Sequence, residues 1–134
     1  MSNQLNEDIA TVQYDNLFYS DDVKAITGGV TIAKGQGTLK RGTILAKAAS
    51  GKMVILGTTI TTGSSENQKT ETPPADCVLC DDIVVADAED APAVAYLSGH
   101  FNIDALKVKA NYSITNADKD VLRTKNILVG KVLG

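Results

Sequence analysis

The sequence predicts a mainly β single domain with two short helices, preceded by an extended N-terminal arm. Three observations carry this expectation. Short apolar and β-branched runs recur between glycine and polar turn signals. Only two stretches, both in the last third of the chain, combine a helix cap with suitably placed charges. The opening residues lack helical periodicity, yet Tyr14, Phe18 and Tyr19 are half of the six aromatic residues in the chain.

The arm covers residues 1–29 and the β-rich domain residues 30–134. A disordered tail is poor in aromatics, so Val12, Tyr14, Leu17, Phe18 and Tyr19 are the arm's candidate binding residues. Val30-Thr31-Ile32 is the first strand, bounded by Gly28-Gly29 and Gly35. Thr43-Ile44-Leu45-Ala46 and Lys52-Met53-Val54-Ile55-Leu56 flank the turn signal Ala49-Ser50-Gly51 and form a hairpin. Thr58–Thr62 is β-branched and extended. Gly63–Pro74 is a polar loop in which the Pro-Pro pair excludes regular structure. Cys77–Cys80, Ile83–Ala86 and Ala93–Leu97 are further strands, the last of them ended by Ser98-Gly99. Asn102 caps a short helix over Ile103–Lys107, with Asp104 near its positive end. Thr115 or Asn116 caps Ala117–Lys125, where acids lie early and Arg123 and Lys125 late. Ile127–Val129 and Lys131–Leu133 close the domain as a strand that Gly130 bends.

Composition narrows the function. The 134 residues carry a formal net charge of -3 and a pI near 5.0. A protein built to meet phosphate needs excess Lys and Arg, so direct nucleic-acid binding is disfavoured, as is attraction to an anionic membrane. No apolar run reaches the roughly 18–20 residues that span a bilayer. The polar, acidic start lacks the pattern of a signal peptide, and two cysteines are too few for a secreted disulfide framework. Synthesis in the reducing host cytoplasm is expected. Charge is arranged in blocks: residues 70–106 hold eight acids and no Lys or Arg, whereas residues 107–134 hold six Lys and Arg against two acids. Such blocks suit complementary faces that meet between copies.

Four constellations could carry chemistry. Cys77-x-x-Cys80 lies on an expected strand, where positions i and i+3 face opposite ways, so buried thiols are the reading. Ser98 and His100 lack a nucleophile elbow and are expected to be structural. The stretch from Gly35 to Gly42 has the glycines of a phosphate loop but not its lysine spacing or its helix, and reads as two turns with Lys40 and Arg41 exposed. Asp81-Asp82 and Glu89-Asp90 lack calcium-loop spacing. No catalytic, cofactor-binding or metal-binding residue is assigned, and no enzyme activity is expected.

One resemblance adds to this reading. Leu39-Lys40-Arg41-Gly42-Thr43-Ile44-Leu45, the turn Ala49–Gly51 and the strand Lys52–Leu56 resemble the bacteriophage head-decoration (capsid-stabilising) family. The polar loop, the block Tyr96-Leu97-Ser98-Gly99-His100-Phe101 leading into a short helix, and the closing helix and strand over Ala117–Leu133 follow in the family's order. The similarity spans roughly residues 30–133; the arm matches by position and character only. The resemblance implies a β-clip-like (β-tulip) domain forming a homotrimer on the outside of an icosahedral shell, at local three-fold points. There it stabilises the expanded virion capsid against packaged DNA, its arm paired with the major capsid protein. No enzyme activity and no cofactor are implied. The alternative from another class is a small β adhesion or adaptor module on a phage or cell surface. That module would need an exposed aromatic platform, and the later aromatics are too scattered to favour one.

Overall fold

The computed structural model describes residues 17–20, 23–63 and 66–130. In chain order the strands are β1 (Phe18–Ser20), β2 (Ile26–Ile32), β3 (Gly37–Leu39), β4 (Ile44–Lys47), β5 (Met53–Ile55), β6 (Ile60–Thr62), β7 (Lys69–Glu71), β8 (Ala75–Leu79), β9 (Ile83–Val85), β10 (Ala91–Asn102) and β11 (Ile127–Gly130). A 3-10 turn covers Ile103–Ala105, and the α-helix α1 covers Asn116–Thr124.

Five strands close into a ring in the order β10-β2-β5-β4-β8, because β10 pairs on one side with β2 and on the other with β8. Ala95 sits opposite Gly28 on one flank and Leu79 on the other. Each of these strands gives side chains to one buried cluster: Ile32, Leu45, Met53, Cys77, Leu79 and Ala95, joined by Leu39 of β3 and Val85 of β9. The small Ala91, Ala93 and Ala95 line this side of β10, which suits a ring of few strands with little room inside.

The other face of the same wall is buried too. Ile44, Ala46, Val54, Ala75 and Val78 belong to a second cluster with Leu17, Leu56, Phe101, Leu122 and Ile127. Period-two alternation sorts Leu45 from Ile44 and Ala46, and Cys77 and Leu79 from Val78. A wall covered on both faces explains the apolar runs Ile44–Ala46 in β4 and Cys77–Leu79 in β8.

Helix α1 brings Leu122 and β11 brings Ile127 to that second cluster. Thr115 is the N-cap: its hydroxyl accepts from the Asp118 N–H, and the Asp118 carboxylate accepts from the Thr115 N–H, a full capping box. Asp118 also accepts the Tyr112 hydroxyl. The expected first helix is only the 3-10 turn, with the Asn102 side chain accepting from the Asp104 N–H at 3.1 Å.

Three expectations differ from the structure. The loop from Gly63 to Pro74 is shorter, because Thr62, Thr61 and Ile60 pair antiparallel with Lys69, Thr70 and Glu71. Strand β2 runs through Gly28-Gly29 and across the expected arm boundary at residue 29. The glycine at 28 is needed not for a turn but for space: a Cβ there would lie 2.6 Å from Cδ1 of Leu97. Strand β10 likewise continues through Ser98-Gly99. Gly99 has φ +148°, and the register with β2 shifts between Tyr96 and Ser98. There β10 leaves the ring and takes new neighbours, β1 and β11, as expected of a bulge beside a glycine.

Candidate functional site

Beyond Gly99 the sheet has three strands, with β10 in the middle. Strand β1 pairs antiparallel with it, Phe18 opposite Phe101 and Ser20 opposite His100. Strand β11 pairs parallel, from Gly99–Ile127 to Asn102–Gly130. The N–H of Asn102 donates to the carbonyl of Leu17 at 2.7 Å. Among the described residues both outer strands are edges, and Leu17 joins one of them to residues 1–16.

Alternation along β1 divides its side chains. Phe18 packs inward: its ring stacks on Phe101 at 5.0 Å and 27° and meets Tyr96 edge-on at 5.1 Å and 80°. Tyr19 points to the other face, 42% exposed, with its ring 4.5 Å from that of His100. Gly130 of β11 lets the two lie close, since a Cβ there would sit 3.1 Å from both rings. Beside this shelf a shallow cleft between α1 and β11 is lined by His100, Lys119, Arg123 and Leu128.

The five candidate arm residues thus separate. Val12 and Tyr14 lie outside the described residues. Leu17 is 2% exposed and belongs to the domain's own core. Phe18 is partly buried against Phe101 and Tyr96, and only Tyr19 presents substantial surface. The sequence reads Leu17 and Phe18 as candidate binding residues of the arm. Their apolar surface is satisfied at home by aromatic rings some 80 residues away in sequence.

Arg41 is a second correction. The sequence places it in an exposed pair with Lys40; in the structure it is half-buried, and its guanidinium donates to the Cys80 carbonyl at 2.9 Å and to the Tyr96 hydroxyl at 2.6 Å. The same group lies 5.4 Å from the Tyr96 ring centroid and 6.0 Å from that of Phe18. Lys40 is exposed, 3.7 Å from Asp82.

The remaining chemical candidates occupy structural places. The Ser98 hydroxyl donates to the Lys24 carbonyl at 2.6 Å and accepts from the Ile26 N–H at 3.2 Å, tying the start of β2 to β10. The stretch from Gly35 to Gly42 forms turns around β3, with left-handed backbone at both ends. Asp82 accepts the Arg41 N–H and pairs with Lys40, which holds its carboxyl below the usual range. Asp90 is held low by Lys52 at 2.7 Å and by the Lys34 N–H. Among the described residues no group of three or more His, Cys, Asp or Glu could hold a metal ion, and no helix is long and apolar enough to cross a membrane. The charge blocks meet at least once within the chain, where Lys125 lies 3.0 Å from Asp76.

Both cysteines are buried and free. Burial, then the neighbouring Asp76, pushes the Cys77 thiol up to about 12. The nucleophilic thiolate is scarce at neutral pH and shielded. Cys77 is therefore expected to resist iodoacetamide in the native protein and to react only after unfolding, with mass spectrometry reading the modified peptide. The sign of the linkage follows. The native state holds this proton more tightly than the unfolded one, so stability falls as pH rises from 9.0 towards about 12.

Residues 8–129 match the family model for bacteriophage lambda head decoration protein D. The chain belongs to this family. Curated proteins give no match to it. As a decoration protein it is a structural component of the phage virion, bound to the capsid on its outer surface. The matched span begins at residue 8, so Val12 and Tyr14 fall inside it, whereas the sequence motifs alone reached back only to about residue 30. The mostly β, single-domain fold agrees with that membership.

Proposed function

We propose that this decoration protein forms a homotrimer at local three-fold positions on the expanded shell and holds it against the pressure of packaged DNA. The major capsid protein is its partner, and nucleic acid and membrane are not. The observation that carries the reading is the family match, which takes in the arm from residue 8 onwards, combined with where the arm joins the domain. Leu17 joins residues 1–16 to β1, an edge strand among the described residues, next to the half-exposed Tyr19. Residues 1–16, with Val12 and Tyr14 as anchors, add a strand to an edge on the shell. Strand addition takes its affinity from main-chain hydrogen bonds and its selectivity from side chains on one face.

No bond is made or broken in this role. A trimer presents three arms, and once one is engaged the others bind at high effective concentration. A site that exists only on the expanded shell makes binding stabilise that state by mass action. The net charge of -3 gives no electrostatic reason to approach DNA.

Electron microscopy of coated shells is expected to show three copies of the 14.1 kDa chain at each local three-fold position. Expanded shells carrying the protein should survive heating or internal pressure that breaks bare shells. Single copies away from those positions, or coated shells no tougher than bare ones, would sink the proposal.

A further inference from the structure

The geometry points to Arg41 as the positioning residue that fixes where the arm leaves the domain. The inference rests on the reading of residues 1–16 as the shell-binding arm and adds what holds their root in place.

Strand β1 has three residues. So short an edge strand has few ladder bonds and is expected to open locally at low cost. What keeps it down is side-chain packing, and Arg41 completes that packing from outside the sheet. It lies in the turn between β3 and β4, far from β1 in sequence. Its own backbone is pinned on both sides: its N–H donates to Asp82 Oδ1 at 2.8 Å, and its carbonyl accepts from Lys107 Nζ at 3.3 Å. Gly42 follows with φ +95°, where a Cβ would lie 2.9 Å from the Ala105 carbonyl oxygen, so the turn has one shape.

From that fixed point the guanidinium spans Cys80 at the end of β8, Tyr96 in β10 and the Phe18 ring in β1. Phe18 is held on one side by Phe101, with Tyr96 meeting it edge-on and the cation of Arg41 nearby. A planar, delocalised cation can donate two hydrogen bonds from a rigid fork while its face lies against rings; the compact, strongly hydrated ammonium of a lysine does this less well. Arg41 thus ties β1 to the ring of strands, and the place where residues 1–16 join the domain is fixed. An arm with a fixed root loses less freedom on binding.

The readout is amide hydrogen exchange on the full chain. The Asn102 N–H, which donates to Leu17, reports β1 docking. The N–H groups of Ala33, donating to Met53, and of Leu56, donating to Ile44, report the ring. In Arg41→Met, exchange at Asn102 should rise severalfold, the loss expected for the cation–π contact with Phe18 and for the Tyr96 ring no longer being held against it, with Ala33 and Leu56 little changed. Coating of expanded shells should weaken severalfold. Arg41→Lys should fall between Arg41→Met and the parent. Tyr96→Phe, which removes one acceptor and keeps the ring, gives a smaller rise at Asn102 and serves if Arg41→Met does not fold. No rise at Asn102, an equal rise at all three amides, or a selective rise with unchanged coating would each overturn the inference. Deleting residues 1–16 separates the two ideas: coating that survives the deletion defeats the arm reading, whereas the exchange pattern tests the clamp without any shell.

Discussion

Deleting residues 1–16 is expected to abolish coating of expanded shells, lowering apparent affinity by about 10²-fold or more, while thermal melting stays near that of the full chain. The size follows from multivalency: the proposed trimer, without arms, would lose three linked contacts together, and avidity of that kind is worth about 10²–10⁴. The melt is expected to stay in place because the cut spares both buried clusters of the described residues. Leu17, the first described residue, is buried, and the cut leaves it and all of β1 in place. Shell occupancy by electron microscopy or co-sedimentation measures the first effect and circular dichroism the second. Coating that persists at parental affinity would defeat the arm reading even if the trimer is intact.

The position of the cut matters. A longer deletion, to residue 24, would remove Leu17 and Phe18 from the second cluster and from the aromatic stack, so lost binding and lost folding could not be told apart. For the same reason Tyr14→Ala is the informative point substitution in the arm and Phe18→Ala is not. Tyr14→Ala should weaken coating without moving the melting temperature.

Local signals in the sequence were read well where the structure depends on near neighbours. The β4–β5 hairpin follows from two apolar runs around Ala49-Ser50-Gly51, and Gly51 indeed takes φ +90°. Thr115 and Asn102 cap where their side chains suggest. The errors share a cause: each concerns a residue whose partner is remote in sequence. Gly28 reads as a strand boundary until Leu97 is seen lying over it. Arg41 reads as a surface cation until its turn is placed beside Tyr96, 55 residues on. Leu17 and Phe18 carry the apolar character of a binding arm, but nothing local says that Phe101 and Tyr96 wait for them on the same chain. Motifs pointed to the family across the domain, while the family match also took in the arm, where motifs are absent.

Phe101→Ala should be the most damaging single change to the domain, costing about 3–5 kcal/mol, the range for truncating a buried aromatic. Phe101 is fully buried, stacked on Phe18 at 5.0 Å and tilted against Tyr96 at 5.6 Å. Its neighbours cannot close the gap cheaply. Gly99, two residues before it, already sits where a Cβ would touch the Phe101 ring at 2.9 Å, so the backbone is shaped around that ring. A domain of this size has about 5–15 kcal/mol of total stability. The melting temperature should therefore fall by roughly 10–20 °C, as calorimetry would show. Phe101→Leu, which keeps most of the volume, should cost much less. A loss under about 1 kcal/mol for the alanine variant would mean that the aromatic stack is not what joins β1 to the domain. The same substitution removes the surface on which Phe18 rests. Amide exchange at Asn102 should then accelerate by more than global destabilisation alone explains, because the cavity opens at the root of the arm before it reaches the ring of strands.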